Sequence, residues 1–362
     1  MTLLLLAAAA LAGAGEPAPL PPLPSARQLA WHEVEFAAFL HFGINTFTDR
    51  EWGDGKEDPS LFQPSALDCR QWARVCREAG MRGIILTAKH HDGFCLWPSK
   101  LTKHTVAASP WRGGKGDVVR ELSEACREAG LALGLYLSPW DRNSPVYGSG
   151  ARYNDLYVAQ LEELLGGYGP LFEVWFDGAC GEGSGGRKQT YDWPRFIGFV
   201  RRLQPGAVIF SDAGPDVRWV GNEKGFAGVT NWAGGRASAT NVRGGEARFA
   251  AERVLGGGDG PPGCWATDDG VTAAAVTVEL ARPAAVDRVL AGERIELGQR
   301  VRAFAVEARV DGAWRTVAEG TTIGRKRIVR FPEVRAEAIR LAIKDARAGP
   351  TLARLSAWGP AR

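Results

Sequence analysis

The sequence predicts an α/β fold followed by an all-β fold: a (β/α) barrel of the TIM type that lacks its last units, then a β-sandwich of the jelly-roll type. The first prediction depends on apolar strands that alternate with amphipathic helices, because this order implies parallel strands joined by right-handed crossovers. An open α/β sheet fits the same pattern, but no Gly-rich phosphate-binding motif follows the first strand, which makes a nucleotide-binding fold the weaker alternative. The second depends on short segments of alternating polarity in the C-terminal third, separated by turn residues such as Asp311-Gly312. We place the incomplete barrel at residues 28–240 and the sandwich at residues 241–362.

The N-terminal segment has the pattern of an export signal. Residues 1–15 combine an apolar run of signal-peptide length with small residues at its end, although no Lys or Arg precedes the run. We therefore expect residues 1–15 to be a signal peptide, residues 16–27 to be a proline-rich spacer, and the protein to be exported to the periplasm or secreted. The apolar run is too short to cross a bilayer, so we expect no membrane span.

The composition narrows the class of protein. A formal net charge of +3, scattered along the chain, does not favour nucleic acid as a partner. The 13 tryptophans mildly favour carbohydrate, because indole rings offer flat apolar faces to the C–H faces of sugars; packing in a core is the alternative. The six cysteines show no CxxC spacing, so we expect buried free thiols rather than a zinc or redox site.

Two segments of the first half share one design. Each begins with an aspartate suited to cap a helix, Asp68 or Asp117, and continues with an apolar stripe at helical spacing. Each helix stops at a glycine, Gly80 or Gly130, and an apolar strand follows. Two more helix–strand pairs come after these, and one strand precedes them all. The predicted strands are residues 36–42, 83–88, 131–137, 171–177 and 207–210.

Polar and aromatic residues follow these strands, at the end of the fold where chemistry gathers in (β/α) barrels. Asp177 ends an apolar strand and is costly to bury without a partner or a role, although Asp177-Gly178 alone would suit a turn. One polar loop residue means little, but convergence of several strand ends indicates a site. The strand-end residues are His41; Lys89, His90, His91 and Asp92; Tyr136, Ser138, Trp140 and Asp141; Asp177; and Ser211, Asp212, Arg218, Trp219, Asn222 and Glu223.

These residue types fit two kinds of hydrolase. Two carboxylates that flank a glycosidic bond are the usual equipment of a glycosidase, one as nucleophile and the other as acid and then base. A metal-dependent hydrolase is the alternative, with His90 or His91 as a ligand. Adjacent residues on a strand point to opposite faces, so one of this pair would lie in the core. No HxH or HExxH pattern accompanies them, which weighs against a metal site.

Five long motifs resemble those of glycoside hydrolase family 29, the retaining α-L-fucosidases. The resemblance covers roughly residues 28–232 and is nearer to the branch that prefers α-1,3/1,4-linked fucose. The motifs are HFGINTFTDREWGDG (41–55), TAKHHDGFCLWPS (87–99), GLYLSPWDRN (134–143), EVWFDGACGEG (173–183) and SDAGPDVRWVGNEKGFAG (211–228).

The resemblance implies a role for each candidate residue. Asp177 would be the nucleophile that forms a fucosyl-aspartate, and Glu223 would be the acid/base. Fucosylated oligosaccharides or glycoconjugates would be the substrates, and catalysis would need neither a metal nor another cofactor. The residues implied to hold the fucose are His41, Glu51, Trp52, His90, His91 and Tyr136, with Trp175 beneath the sugar.

The C-terminal part resembles a discoidin-type domain, the jelly-roll module of many carbohydrate-binding proteins. The resemblance depends on residues 254–269, 295–324 and 338–343. Modules of this type often hold a structural calcium ion, for which the sequence identifies no ligands. Packing against the barrel is the alternative role for this module.

The sequence departs from a full barrel after Trp232, where the alternation of strands and helices stops. Three missing helix–strand units would need about 90 residues at ~30 each. An unclosed barrel exposes strand edges and apolar surface, so we expect low stability. The same gap leaves a rival function open, namely a protein that binds fucose or glycans without cleaving them.

Overall fold

The structure is a computed structural model that describes residues 15–211, 215–218, 237–255 and 263–359. The chain divides into two compact units, Ser25–Asn222 and a second one that combines Met1–Pro24 with Glu223–Arg362. The predicted signal peptide lies outside the described residues except for its last residue, Gly15.

The first unit is a parallel sheet of six strands with helices between them. The strands are hydrogen-bonded in chain order from β1 to β6, and every neighbouring pair is parallel. The predicted parallel sheet with alternating helices is therefore confirmed. The elements are α1 (Ala26–Val34), β1 (Ala37–Leu40), α2 (Cys69–Glu78), β2 (Gly83–Lys89), α3 (Val118–Ala129), β3 (Ala132–Leu137), α4 (Ala151–Gly167), β4 (Glu173–Trp175), α5 (Trp193–Leu203), β5 (Val208–Ser211) and β6 (Val217–Arg218).

Local sequence accounts for the helix ends. The side chains of Asp68 and Asp117 accept hydrogen bonds from backbone N–H groups in the first turns of α2 and α3, as predicted. Gly130 follows α3 with a φ of 66°, a left-handed conformation that a side chain disfavours. Helix residues such as Leu122 and strand residues such as Ile84 then share one buried core. This core fixes β2 and β3, whose carboxyl ends carry most of the candidate site.

Strands β1 and β6 are the edges of the sheet as far as it is described. On and before β1, Phe39 and Phe36 are 39% and 51% exposed, which leaves apolar surface at this edge. Helix α1 directly precedes β1, yet Gln28 Nε2 donates to the backbone oxygen of Asp216, one residue before β6, at 2.9 Å. The sheet therefore curves enough for one helix to reach both of its edges.

The second unit is an antiparallel sheet of seven strands, which confirms the predicted change to an all-β segment. Strands β9 and β12 each span 20 residues, and their mutual pairing shifts register twice, which is how long strands bend. Strand β7 pairs with β9, so it belongs to this sheet although it precedes the predicted boundary at residue 240. The elements are β7 (Ala237–Ala239), β8 (Trp265–Ala266), β9 (Ala274–Glu293), β10 (Val301–Val310), β11 (Ala313–Gly320), β12 (Arg327–Ala346) and β13 (Thr351–Trp358).

The segment that we predicted as a spacer is hydrogen-bonded into the second unit. Arg300 is 2% exposed, and its Nη2 donates to the backbone oxygen of Ala18 at 2.6 Å. Arg243 Nε donates to the oxygen of Gly15 at 2.6 Å, and the Leu20 N–H donates to the Leu297 oxygen at 2.9 Å. A proline-rich extended segment cannot pair its own carbonyls, so buried arginine side chains satisfy them instead. The end of the predicted spacer, from Ala26 on, lies in α1.

No helix within the described ranges has both the length and the apolar character needed to cross a membrane. All six cysteines are free thiols; five are buried, and Cys180 is half-buried. These thiols match the expectation from cysteine spacing.

Candidate active site

Asp177 follows strand β4 and is held by two hydrogen-bond donors. Its Oδ2 accepts from the Tyr136 hydroxyl at 2.8 Å, and its Oδ1 accepts from the Ala179 N–H at 2.7 Å. Tyr136 is 3% exposed, and burial together with the Asp177 charge raises the pKa of this phenol well above its usual range. The phenol therefore keeps its proton and remains a donor. The carboxylate is half-buried and fixed in orientation at the carboxyl edge of the sheet.

Three histidine rings lie together beside this carboxylate. The rings of His90 and His91 stack with centroids 4.0 Å apart, and the ring of His41 lies 4.4 Å from that of His90. Burial lowers the pKa of His90 to about 2, helped by the two neighbouring histidines. Burial also lowers the pKa of His91 to about 4, although the Asp177 charge opposes this shift. Both rings are neutral at pH 7 and can donate one hydrogen bond and accept another.

The stacked pair corrects one expectation from the sequence. We expected His90 and His91 to point to opposite faces of a strand, but β2 ends at Lys89. The chain then turns, with the Gly93 N–H donating to the His90 oxygen at 3.0 Å, and both rings face the same side. Among the residues that the structure describes, no three His, Cys, Asp or Glu side chains are grouped so that they could hold a metal ion.

Trp52 and Glu51 lie on an exposed loop beside the histidines. The Trp52 side chain is 46% exposed, and its ring centroid lies 5.6 Å from that of Trp140 and 6.1 Å from that of His91. The residues after Trp52 are tied down by Arg142 and Asn143. Arg142 Nη1 donates to the Gly53 oxygen at 2.5 Å, and Asn143 Nδ2 donates to the Gly55 oxygen at 2.7 Å. The loop thus presents an aromatic surface at a defined place.

A cavity of about 500 Å³ is lined by Glu51 together with His41 and His90. Polar and charged side chains predominate in its lining, which suits a ligand with several hydroxyl groups. Glu51 is exposed to solvent on this cavity wall. The lining residues are His41, Phe42, Gly43, Asn45, Thr46, Asp49, Arg50, Glu51, Thr87 and His90.

Trp175 ends strand β4, two residues before Asp177. Its ring stacks on Phe210 with centroids 3.4 Å apart, and Phe39 lies edge-on at 5.0 Å. The same Phe39 ring is 5.9 Å from Tyr136, which links Trp175 to the Asp177 cluster. The half-buried indole therefore forms part of the floor beside the carboxylate.

The structure thus brings together eight of the nine predicted site residues. They are His41, Glu51, Trp52, His90, His91, Tyr136, Trp175 and Asp177. The ninth, Glu223, lies outside the described residues. The acid/base role that the resemblance implies for Glu223 therefore stays a prediction.

Sequence reasoning placed Lys89 and Asp141 at strand ends but missed that they pair with each other to support the site. Lys89 is fully buried; its Nζ lies 3.0 Å from Asp141 Oδ2 and 2.9 Å from Gln160 Oε1. Asp141 Oδ1 in turn accepts from the N–H groups of Asn143 and Ser144, at 3.1 and 2.8 Å. The sequence feature that could have indicated this ion pair is a lysine at the end of an apolar strand, because a buried ammonium group requires an acceptor. Its partner, 52 residues away, could not be identified from the sequence.

A fixed carboxylate, neutral histidines and tryptophan faces at the carboxyl edge of a parallel sheet define a carbohydrate-active enzyme. The alpha-L-fucosidase family model matches residues 31–226, which is more than half of the chain. The chain belongs to the alpha-L-fucosidase family.

Individual relatives agree with this assignment. A rice (Oryza sativa subsp. japonica) protein provisionally named alpha-L-fucosidase 1 is 38% identical over 445 positions, covering 93% of this chain and 85% of that one. Alpha-L-fucosidase 1 of Arabidopsis thaliana is 54% identical over 216 residues, or 60% of this chain. The structure of a family 29 fucosidase from Ruminococcus gnavus in complex with fucose has 26% identity and a TM-score of 0.84, with 98% of each chain covered.

The rice and Arabidopsis alignments also show that this chain is shorter than those two proteins. The Arabidopsis match covers only 42% of that protein. In the rice alignment, 93% of this chain is about 337 residues, so about 100 of the 445 positions have no counterpart here. A difference of this size corresponds to about three helix–strand units at ~30 residues each.

Proposed function

We propose that this chain hydrolyses terminal α-L-fucosyl residues of glycans with retention of configuration. The observation that carries the proposal is the Asp177 carboxylate, oriented by Tyr136 and Ala179 beside neutral histidines. An oxygen of Asp177 attacks the anomeric carbon while the glycosidic oxygen leaves with a proton from Glu223. The resulting fucosyl-aspartate ester is cleaved by water that gives its proton to Glu223. Fucose and the shortened glycan are released, and both carboxyl groups return to their starting states.

The surrounding residues suit the binding of a small hydroxylated ring. His41, His90 and His91 offer ring nitrogens for hydroxyl groups, and Glu51 offers a carboxylate on the cavity wall. Trp175 and Trp52 provide aromatic surfaces for the C–H faces of the sugar. Carboxylates and water suffice for the two displacements, so the proposed reaction requires no cofactor.

The finer features of the protein are proposals on the same basis. We assign the first unit to the barrel type, shortened by about three helix–strand units, since its six strands pair in chain order. We assign the second unit to the discoidin-like jelly-roll type, with a structural calcium as a further prediction. The motif resemblance supports a preference for α-1,3/1,4-linked fucose. The N-terminal pattern supports export, with residues 1–15 as the signal peptide.

Fucose release by the purified chain tests the function directly. The substrates are a Lewis-type α-1,3/1,4-fucosylated trisaccharide and an α-1,2-fucosylated one. Asp177→Asn removes the nucleophile and keeps the side-chain shape, so we expect kcat to fall by at least about 10³-fold. Asp155→Asn is the matched control, since Asp155 is an exposed aspartate on α4 that pairs with Arg195.

Each outcome of this assay is decisive. Release from the Lewis-type substrate that Asp177→Asn abolishes and Asp155→Asn leaves intact supports the proposal, including the linkage. Equal rates with both substrates would refute the linkage preference alone. Fucose binding by a folded chain without any release would refute hydrolysis and establish a binding protein instead. Activity lost to a chelator and restored by zinc would establish the metal-dependent alternative.

A further inference from the structure

A buried hydrogen-bond chain behind His91 determines which of its two ring nitrogens carries the proton. We propose that Ser138 fixes His91 in the Nδ1–H tautomer, so that Nε2 is an obligatory hydrogen-bond acceptor that selects a ligand hydroxyl. Ser138 is thus a positioning and specificity-determining residue, which acts through His91. The identity of the ligand as a fucosyl group rests on the proposed function, whereas the tautomer does not.

The assignment follows from counting protons on Ser138. Its side chain is fully buried, and its Oγ lies 2.7 Å from His91 Nδ1. The same hydroxyl donates to the backbone oxygen of Trp140 at 2.7 Å. A carbonyl oxygen can only accept, and a hydroxyl has a single proton to give. Ser138 must therefore accept from His91, which places a proton on Nδ1.

The surroundings of His91 keep its imidazole neutral, so the ring carries only the proton on Nδ1. The residue is 7% exposed, and its ring packs against His90 at 4.0 Å and against Trp140 at 4.8 Å, measured between centroids. This packing disfavours an imidazolium ion, and burial lowers the pKa of His91 to about 4. Nε2, on the opposite side of the ring from Ser138, is then unprotonated at pH 7.

In the described part of the chain, Ser138 pairs with His91 Nδ1, and no side chain donates a hydrogen bond to His91 Nε2. Asp177 is an acceptor, and the proton of Tyr136 is already donated to Asp177. A ligand that supplies a hydroxyl proton satisfies Nε2, whereas a ligand that lacks this hydroxyl leaves the acceptor without a partner from the ligand. The site therefore favours a ligand that carries a hydroxyl donor at one position of its sugar ring.

The first test reads the tautomer in the unmodified protein. The chain has five histidines, so ¹⁵N–¹H correlation spectra of the imidazole groups are tractable, and His91→Asn identifies the His91 signals. We expect a neutral ring with the proton on Nδ1 at pH 7. A ring protonated on Nε2 would overturn the proposal. This measurement does not depend on enzyme activity, so it stays valid even if no fucose is released.

The second test removes the serine hydroxyl. In Ser138→Ala we expect the Nε2–H tautomer to become populated, because Nδ1 loses its acceptor. Ser109→Ala is the matched control: Ser109 is equally buried, and its hydroxyl donates to the Val106 oxygen at 2.9 Å without contact to a histidine. Unchanged His91 signals in Ser138→Ala, or the same change in Ser109→Ala, would refute the role of Ser138.

The third test measures specificity with monodeoxy versions of an aryl fucoside. With the unmodified protein, we expect kcat/KM for one of them to fall by about 2- to 10-fold, the usual net effect of one lost hydrogen bond. In Ser138→Ala, the ratio of kcat/KM for the parent fucoside to kcat/KM for that deoxy fucoside should shrink toward one. The His91 imidazole can then donate from Nε2 and no longer requires the sugar hydroxyl. A ratio that Ser138→Ala leaves unchanged would overturn the specificity role. Absence of hydrolysis with every substrate would instead count against the proposed function.

Discussion

Replacement of Asp141 by Asn is expected to destabilise the protein by about 3–5 kcal/mol, the usual effect of removing one partner of a buried ion pair. Lys89 is 0% exposed, and its ammonium group has two acceptors, Asp141 Oδ2 at 3.0 Å and Gln160 Oε1 at 2.9 Å. An asparagine has the same shape, and its oxygen can still accept from the N–H groups of Asn143 and Ser144. The change therefore removes one negative charge and turns an amide NH2 group, a hydrogen-bond donor, toward the Lys89 ammonium group in place of an acceptor.

The upper limit of this destabilisation follows from the chemistry of lysine. An ammonium group left without a carboxylate can lose its proton instead of remaining charged. At pH 7, deprotonation of a lysine with an ordinary pKa of about 10.4 costs about 5 kcal/mol, at 1.36 kcal/mol per pKa unit. The free energy of unfolding should thus fall by several kcal/mol but by no more than about this amount. Loss on this scale is a large fraction of the stability of a typical domain, about 5–15 kcal/mol.

Urea unfolding at pH 7 measures this destabilisation, with Lys89→Met and the double variant completing a double-mutant cycle. The double variant has no buried charge at this pair of positions. Its free energy of unfolding should therefore fall by less than the sum of the decreases in the two single variants. Glu128→Gln is the matched control, because the Arg70–Glu128 pair is 64% and 47% exposed and should contribute little to stability. A loss below about 1 kcal/mol in Asp141→Asn, or additive effects of the two changes, would refute the reasoning.

Four further predictions follow. Tyr136→Phe removes a hydrogen bond to the charged Asp177 and should lower kcat/KM by about 10- to 150-fold in the fucose-release assay; an unchanged value would show that this bond is not used in catalysis. Trp52→Ala should raise KM by about 2- to 10-fold at nearly constant kcat, with recovery in Trp52→Phe; a fall in kcat alone would contradict a role in binding. Burial raises the pKa of Glu173 to about 7 despite its hydrogen bond from Trp31, so the folded state holds a proton that the unfolded state releases near pH 4.5. Stability should therefore fall as the pH rises from about 4.5 to 7, by at most about 3 kcal/mol, and Glu173→Gln should remove this slope in urea unfolding at pH 5 and 8; persistence of the slope would exclude Glu173 as its source. Calorimetry should show unfolding below about 45 °C, because β1 and β6 are edge strands of the sheet as far as it is described, and a cooperative transition at higher temperature with full activity would contradict that expectation.

The sequence was sufficient for features that neighbouring residues decide. Helix caps at Asp68 and Asp117, the amphipathic helices and the apolar strands between them follow from patterns within about ten residues. The position of Asp177 after β4 could be predicted in the same way, because a lone acid at the end of an apolar strand is conspicuous. Membership of the fucosidase family followed from long motifs that the family model then matched.

Pairs of residues distant in the chain could not be predicted in this way. The rule for adjacent strand residues placed His90 and His91 on opposite faces, yet the strand ends one residue earlier and the rings stack. Gly15 was predicted to end the signal peptide and Ala18 to lie in the spacer, yet Arg243 and Arg300 hydrogen-bond to their carbonyls from more than 220 residues away. These two contacts depend on where remote segments meet, which no local pattern records.

The sequence by itself determined the class of fold, the family and the acid that we propose as nucleophile. Those depend on hydrophobic period, capping residues and motif identity, which are properties of contiguous segments. Only the tertiary structure decided how the site is supported: which carboxylate neutralises Lys89 and which hydroxyl orients His91. Burial is the physical reason, because a charge or an imidazole removed from water must find its partner wherever the fold brings one within hydrogen-bond distance.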